Sequence, residues 1–253
     1  MVWSLFDDME QCTEEEVQRL LAVVSPQRRE QAMRIKHLAG RYACLKSYEM
    51  LTQIIDNSKL IIDNYDSSRP NSQFSIINYQ FNEHGKPFFP DFPDIHFNIS
   101  HCKHAIAVVV DDKPVGIDVE RFVNPSPSLL RYTMNDDEVA QVEQSEHPER
   151  TFAMLWTQKE AIFKLYGTGI TDDIRQLLTL PRPTVALNTT YHENYCCTIA
   201  RIENWLPHDS CHPNSLFSNK KNPIFQKKLL SLHDENTTEL PIKIEYNTQK
   251  INR

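Results

Sequence analysis

Glycine is nearly missing from this chain, with five among 253 residues. A Walker or dinucleotide-binding loop wraps a phosphate with repeated glycines, so those classes of phosphate site are excluded. Long apolar runs are missing too. None approaches the roughly 18 uninterrupted apolar residues that a membrane-spanning helix needs. The opening MVWSLFDDMEQ has acids where a secretory leader has basic residues before an apolar stretch. The expectation is a cytoplasmic protein with no membrane partner. Cysteine is present but without pattern: Cys12, Cys44, Cys102, Cys196, Cys197 and Cys211 have no framework spacing, as in a reduced, disulfide-free chain. An excess of positive charge is also lacking. The formal net charge is −7, so no nucleic-acid partner is expected.

What is present is the balance of a globular protein. Hydrophobic residues make up 40% and charged residues 24%, enough for a core in one large domain or two ordinary ones. Val2 to Phe6 reads as a strand. Thr13 with Glu16 forms a capping box before the apolar positions Val17, Leu20, Leu21 and Val24. Ser25-Pro26 is an N-cap followed by a first-turn proline, and opens one long helix running through Met33, Leu38, Tyr42, Leu45 and Leu51. Residues 56–73 are turn-rich and read as a loop or insert. Strands follow at FSIINYQF and IHFNIS. The apolar runs AIAVVV and PVGIDVE, separated by Asp111-Asp112-Lys113, read as a β-hairpin.

Asn135 and Glu138 form a second capping box. Glu149 to Tyr166 is a helix closed by Gly167. Strands are expected at PTVAL and YCCTIARI. Beyond Trp205 the chain is rich in Asn, Lys, Ser and His, and no structure is assigned to it.

Three clusters carry chemistry. In Gly116-Ile117-Asp118-Val119-Glu120, strand alternation puts Asp118 and Glu120 on one face and Ile117 and Val119 toward the core. Paired carboxylates repel, and a divalent cation relieves that; oxygen-only ligands favour Mg²⁺ over zinc. Removing one of the two should relieve the repulsion. A solvated strand edge is the plainer alternative. In Trp156-Thr157-Gln158-Lys159-Glu160-Ala161-Ile162-Phe163-Lys164, the residues Trp156, Glu160 and Lys164 recur every four positions on one helix face. In His96-Phe97-Asn98-Ile99-Ser100-His101, His96, Asn98 and Ser100 share one face, and Ser100 and His101 end the strand. No Gly-x-Ser-x-Gly elbow surrounds Ser100, which argues against a hydrolase nucleophile. A fourth feature is electrostatic. Arg28, Arg29, Arg34, Lys36, Arg41 and Lys46 face a single acid, Glu30, between Pro26 and Lys46, which is either a solvated face or a place for a phosphate-rich ligand. A zinc site from Cys196, Cys197, Cys211 and His212 is disfavoured, since adjacent cysteines do not reproduce a C-x₂-C knuckle.

HFNISH, GIDVE and WTQKEAIFK, in that order, with Gly85-Lys86-Pro87 fourteen residues before Ser100, closely resemble the surfactin-synthetase-activating type of 4′-phosphopantetheinyl transferase. The resemblance covers roughly residues 1–200. It implies an α+β fold of two similar α/β halves with pseudo-twofold symmetry: an N-terminal half over 1–112, a C-terminal half over 113–205, and a tail over 206–253 outside the pattern. It implies a holo-[acyl-carrier-protein] synthase type of activity, in which a monomer moves phosphopantetheine from coenzyme A to a serine of an apo acyl or peptidyl carrier protein. Asp118, Glu120 and Glu160 match the family's Mg²⁺ positions, and Glu160 is also placed to act as general base on the carrier serine, directly or through water. Lys164 matches the lysine on the pyrophosphate. Ser100 and His101 match positions on the nucleotide's phosphates, Lys86 and Arg41 positions near the nucleotide, and Arg28 the basic residue for the 3′-phosphate. Gln31 stands where some members have a second lysine. The rival reading is a homologue that binds coenzyme A without transfer.

Overall fold

The computed structural model describes residues 1–57, 78–169, 172–179 and 185–203. Residues 56 and 57 of the loop or insert read at 56–73 still belong to the helix ending at Asn57; its remainder, the first half of FSIINYQF, the first residues of PTVAL, and the tail with Cys211 and His212 lie outside the described residues. All described residues belong to one compact unit, Met1–Lys221. Among them no helix is long and apolar enough to cross a membrane.

The first half opens with strand β1 (Val2–Phe6), followed by helices α1 (Glu14–Val23), α2 (Pro26–Met33) and α3 (Leu38–Asn57). Thr13 Oγ1 accepts from the Glu16 amide at 3.2 Å and starts α1. The reciprocal half of that capping box is not made: the Thr13 amide donates to Gln11 O at 2.8 Å, and Arg19 takes the Glu16 carboxylate with two bonds of 2.7 and 2.8 Å. Ser25 caps α2 in the same way as Thr13 caps α1.

The single long helix expected from Ser25 is two helices. α2 buries only Arg28 and Ala32, so it has no apolar stripe continuous with that of α3, which buries ten residues. The break between them leaves the Ile35 carbonyl outside any helix ladder, and Arg41 fills the gap by donating to it at 3.1 Å. α3 is thereby free to lie along the central strand of the first sheet.

That sheet is antiparallel, with order β1-β5-β4, where β4 is His96–His101 and β5 is Ile106–Asp111. A two-stranded ribbon, β2 (Gln80–Phe81) and β3 (Pro87–Phe88), precedes it. In β5 every residue is buried. Ile106, Val108 and Val110 pack into the core formed with α1 and α3, while Ala107 and Val109 share a second core with Val115, Ile117, Val119 and Ile199.

The second half contains β6 (Val115–Arg121), α4 (Pro127–Thr133), α5 (Asp136–Glu143), α6 (Pro148–Tyr166), β7 (Val185–Tyr191) and β8 (Tyr195–Ile202). Its sheet is antiparallel with order β6-β8-β7. The hairpin expected between AIAVVV and PVGIDVE does not form. β5 already has a partner on both edges, β1 and β4, and β6 ladders with β8. Asp111-Asp112-Lys113 is therefore the crossover between sheets, and the first-half hairpin is β4–β5, closed by Cys102 N donating to Ala105 O at 2.9 Å. Asp111 is fully buried at this crossover and pairs with Arg201 Nε of β8 at 2.7 Å.

α6 ends as its sequence implies. Gly167 adopts φ 67°, and its amide closes on Phe163 O at 2.8 Å. Its C-terminal part sits against β6 unusually closely. A Cβ on Gly116 would lie 2.0 Å from the Ala161 carbonyl oxygen and 2.5 Å from the Leu165 amide nitrogen, so only glycine permits this approach. Gly116, Asp118 and Glu120 share a face of β6 by alternation, and that face is turned to α6.

Candidate active site

β4 and β6 are the facing edges of the two sheets, and the polar groups meet where they adjoin. Ser100 Oγ donates to Asp118 Oδ1 at 2.9 Å and accepts from the Val119 amide at 3.2 Å. Lys164 Nζ reaches Ser100 Oγ at 2.9 Å and Asp118 Oδ1 at 2.6 Å. One strand residue from each half and one residue of α6 thus form a closed triangle. Asp118 is 3% exposed, so it is not on a solvated strand edge. Its second oxygen, Oδ2, is buried and has no protein hydrogen-bond partner.

The charges respond to this enclosure. Burial pushes the Asp118 carboxyl above the ordinary aspartate range, while Lys164 pulls against it. Burial also works against the Lys164 ammonium, but Asp118, Glu160 and Glu120 outweigh it and hold its pKa above the usual lysine value. Lys164 is therefore a charged donor. It cannot deprotonate Ser100, so the Ser–Lys contact is not an activated nucleophile.

Glu120 and Glu160 are half-buried, on β6 and α6. Among the described residues no three His, Cys, Asp or Glu side chains are gathered into a metal-holding group. The chemistry of the site still suits a hard divalent cation: its donors are carboxylate oxygens, and the orphaned Asp118 Oδ2 is a buried acceptor without a donor. Lys164 supplies the positive charge beside it.

Residues 114–208 match the family model of the 4′-phosphopantetheinyl transferase superfamily. The chain carries a domain of that superfamily. It is 29% identical over 160 residues to the 4′-phosphopantetheinyl transferase Sfp of Bacillus subtilis (strain 168), covering 62% of this chain and 66% of that protein. It is 30% identical over 158 residues to a second 4′-phosphopantetheinyl transferase of Bacillus subtilis, covering 61% and 65%. A relative matched over a shorter stretch is the 4′-phosphopantetheinyl transferase AcpT of Salmonella typhi, 35% identical over 108 residues, or 40% of this chain and 55% of that one. The chain thus spans just under two thirds of the length of the first two relatives.

The other expected site residues lie outside the triangle. His101 is exposed at the end of β4, next to the triangle. Lys86 is held by α6: its Nζ donates to Leu165 O at 2.6 Å. Arg28 is buried, with its guanidinium carbon 4.2 Å from the Tyr79 ring centre and 5.2 Å from that of Tyr48. Arg41 holds the Ile35 carbonyl. Other cations of the basic stretch are also engaged within the protein: Arg29 with Leu21 O, Arg34 with Glu30, and Lys46 with Glu49.

Lys159 was invisible as a special residue in the sequence. It is fully buried and donates to Glu138 Oε2 at 2.7 Å and to the carbonyls of Thr133 and Ile174, each at 2.9 Å. Glu138 Oε2 also completes the Asn135 capping box at 2.9 Å. One ammonium thereby ties α4, α5, α6 and the turn Asp172–Gln176 together. The available signal was Glu138 itself, whose capping role places a carboxylate in the core. α4 was also missed, although Ser126-Pro127 repeats the Ser25-Pro26 cap signal. Trp156, expected in line with Glu160 and Lys164, is buried against Phe152 with ring centroids 6.4 Å apart.

Proposed function

We propose that this protein transfers the 4′-phosphopantetheine group of coenzyme A to a serine of an apo acyl or peptidyl carrier protein, releasing 3′,5′-ADP. The observation that supports this best is the Ser100–Asp118–Lys164 triangle, which leaves one buried carboxylate oxygen free beside a fixed ammonium. The triangle sets acceptors for a cation and a donor for a phosphate side by side.

In this reading Asp118, Glu120 and Glu160 hold Mg²⁺, which when bound would neutralise charge on the pyrophosphate oxygens. Glu160 takes the proton of the carrier serine as its oxygen bonds to phosphorus. The bond from that phosphorus to the bridging oxygen breaks, and 3′,5′-ADP departs. Lys164, still protonated, balances the charge on the departing phosphate. Ser100 keeps Lys164 and Asp118 in register, and His101, beside it at the strand end, offers a donor to the nucleotide's phosphates. No covalent enzyme intermediate is needed, in keeping with Ser100 not being an activated nucleophile.

The test is intact-mass analysis of a panel of apo-carriers incubated with this protein, coenzyme A and Mg²⁺, with and without chelator. A phosphopantetheine mass gain that chelator abolishes is the expected result. Tight coenzyme A binding by calorimetry with no mass gain on any carrier would instead mark a binding homologue. Neither binding nor transfer would remove the reading altogether.

A further inference from the structure

The last turn of α6 is held by three side chains from the first half. Asn98 Nδ2 donates to Lys164 O at 3.3 Å, Lys86 Nζ to Leu165 O at 2.6 Å, and Asn82 Nδ2 to Gly167 O at 3.0 Å. The carbonyls that end a helix have no partner within it, and these donors come from another part of the fold. Asn82 is itself locked: its Oδ1 accepts from the amides of His84 and Lys86 at 2.9 and 2.8 Å. The same residue thus closes the β2–β3 turn and reaches Gly167. The fit is tight, since a Cβ on Gly167 would lie 2.7 Å from Lys86 Cδ and 3.1 Å from Asn82 Nδ2. Lys86 Nζ also lies 3.4 Å from Val115 O at the start of β6. One ammonium therefore links the β2–β3 turn, α6 and β6.

Lys164 is consequently held at both ends by β4. Asn98 takes its carbonyl, and Ser100, two residues along the same strand, takes its ammonium. Asn98 is 2% exposed, so water does not compete freely for this bond.

We propose that Asn82, Lys86 and Asn98 are positioning residues, which pin the last turn of α6 to the first half and so set where Lys164 and Glu160 stand against Ser100 and Asp118. The proposal rests on the transferase reading of this site. It gives Lys86 a task other than nucleotide contact, because its ammonium is engaged by a helix carbonyl. Misplacement of a reacting group by about 1 Å is enough to cost on the order of a hundredfold in rate, so small bonds at this joint have a large lever.

The experiment compares Lys86→Met, Lys86→Arg, Asn98→Ala and wild type as full chains. Three quantities are read: the Kd of coenzyme A by calorimetry, kcat and KM for transfer to an apo-carrier, and the acetylation rate of the Lys164 amine by limiting acetic anhydride in the free protein. Lys86→Met and Asn98→Ala are expected to lower kcat by about tenfold or more, with the coenzyme A Kd within about twofold of wild type. Lys86→Arg, which keeps a donor, restores most of the turnover. Lys164 is acetylated several-fold faster in both disabling variants. A weaker coenzyme A Kd at unchanged kcat would make Lys86 a nucleotide ligand and overturn the proposal, as would Lys164 reactivity equal to wild type. If Lys86→Met does not fold, Asn82→Ala, which removes one neutral donor to α6, is read in the same three ways. If wild type modifies no carrier, the transferase reading fails, and the acetylation rates still decide whether the pin exists.

Discussion

The two three-stranded sheets have the same plan. In each, the first strand in the chain is at one edge, the last is central and the penultimate is at the other edge. They nevertheless bring opposite chemistry to the seam. The first presents its penultimate strand, β4, with the neutral donors Asn98 and Ser100 and the imidazole of His101. The second presents its first strand, β6, with the carboxylates Asp118 and Glu120. A repeated plan thus gives a seam with one hydrogen-bonding side and one anionic side. The helices differ as well. In the first half α3 buries ten residues, and Arg41 and Lys46 on it bond within the protein. In the second half α6 has the same role in packing, yet directs Lys164 into the seam.

The contrast is sharpest between buried and exposed ion pairs of the two halves. Lys159→Met should destabilise the protein by about 3–5 kcal/mol, because it leaves Glu138 and two carbonyls buried without their donor. Lys159→Met/Glu138→Leu should recover much of that loss. Arg34→Met, which breaks the exposed pair with Glu30, should change stability by less than about 0.5 kcal/mol. Urea denaturation of the four proteins measures all of this. A Lys159 effect no larger than that of Arg34 would erase the difference between halves.

Gly116→Ala attacks the approach of α6 to β6. The new methyl meets backbone atoms, which cannot rotate away, so a loss of about 3 kcal/mol and of transfer is expected. A soluble variant with wild-type melting and turnover would show that the close approach is dispensable.

Asp118→Asn tests the anionic side. The pair Asp118–Glu120 read alone implied that removing a carboxylate relieves repulsion. With Lys164 at 2.6 Å the sign reverses, and a loss of about 1–2 kcal/mol is expected together with loss of transfer. A stability gain in thermal melts would restore the repulsion view.

A smaller effect is expected where β8 meets the loop after β1. Tyr195 Oη donates to Asp7 at 2.9 Å, and Tyr195→Phe should cost about 1 kcal/mol or less by the same denaturation assay.

Lys86 contributes a pH signature. Burial brings its ammonium from 10.5 down to about 7. Below pH 7 both folded and unfolded chains hold the proton. Between 7 and 10.5 the unfolded chain binds it and the folded one does not, so stability from this group rises with pH in that window. The wild-type urea midpoint, taken relative to Lys86→Met, should therefore increase from pH 7 to pH 9.5. An unchanged difference would place the Lys86 amine in open solvent.

Local patterns determined much of this protein by themselves. Caps at Thr13, Ser25 and Asn135, the stop at Gly167 and the alternation around Asp118 are set by neighbours a few residues apart, so they can be read from spacing. The three motifs also contained every member of the Ser100–Asp118–Lys164 triangle. What only the tertiary structure decided is pairing over long separations. Asp111-Asp112-Lys113 looks like a hairpin turn, and becomes a crossover because both edges of β5 are already taken. Lys86, in a turn, and Lys159 and Lys164, on one helix, end against different partners. One is directed to a helix end, one to a buried carboxylate and one to the seam. A lysine's partner is chosen by which acceptors the fold leaves unsatisfied within its reach, and that quantity exists only once the chain is packed.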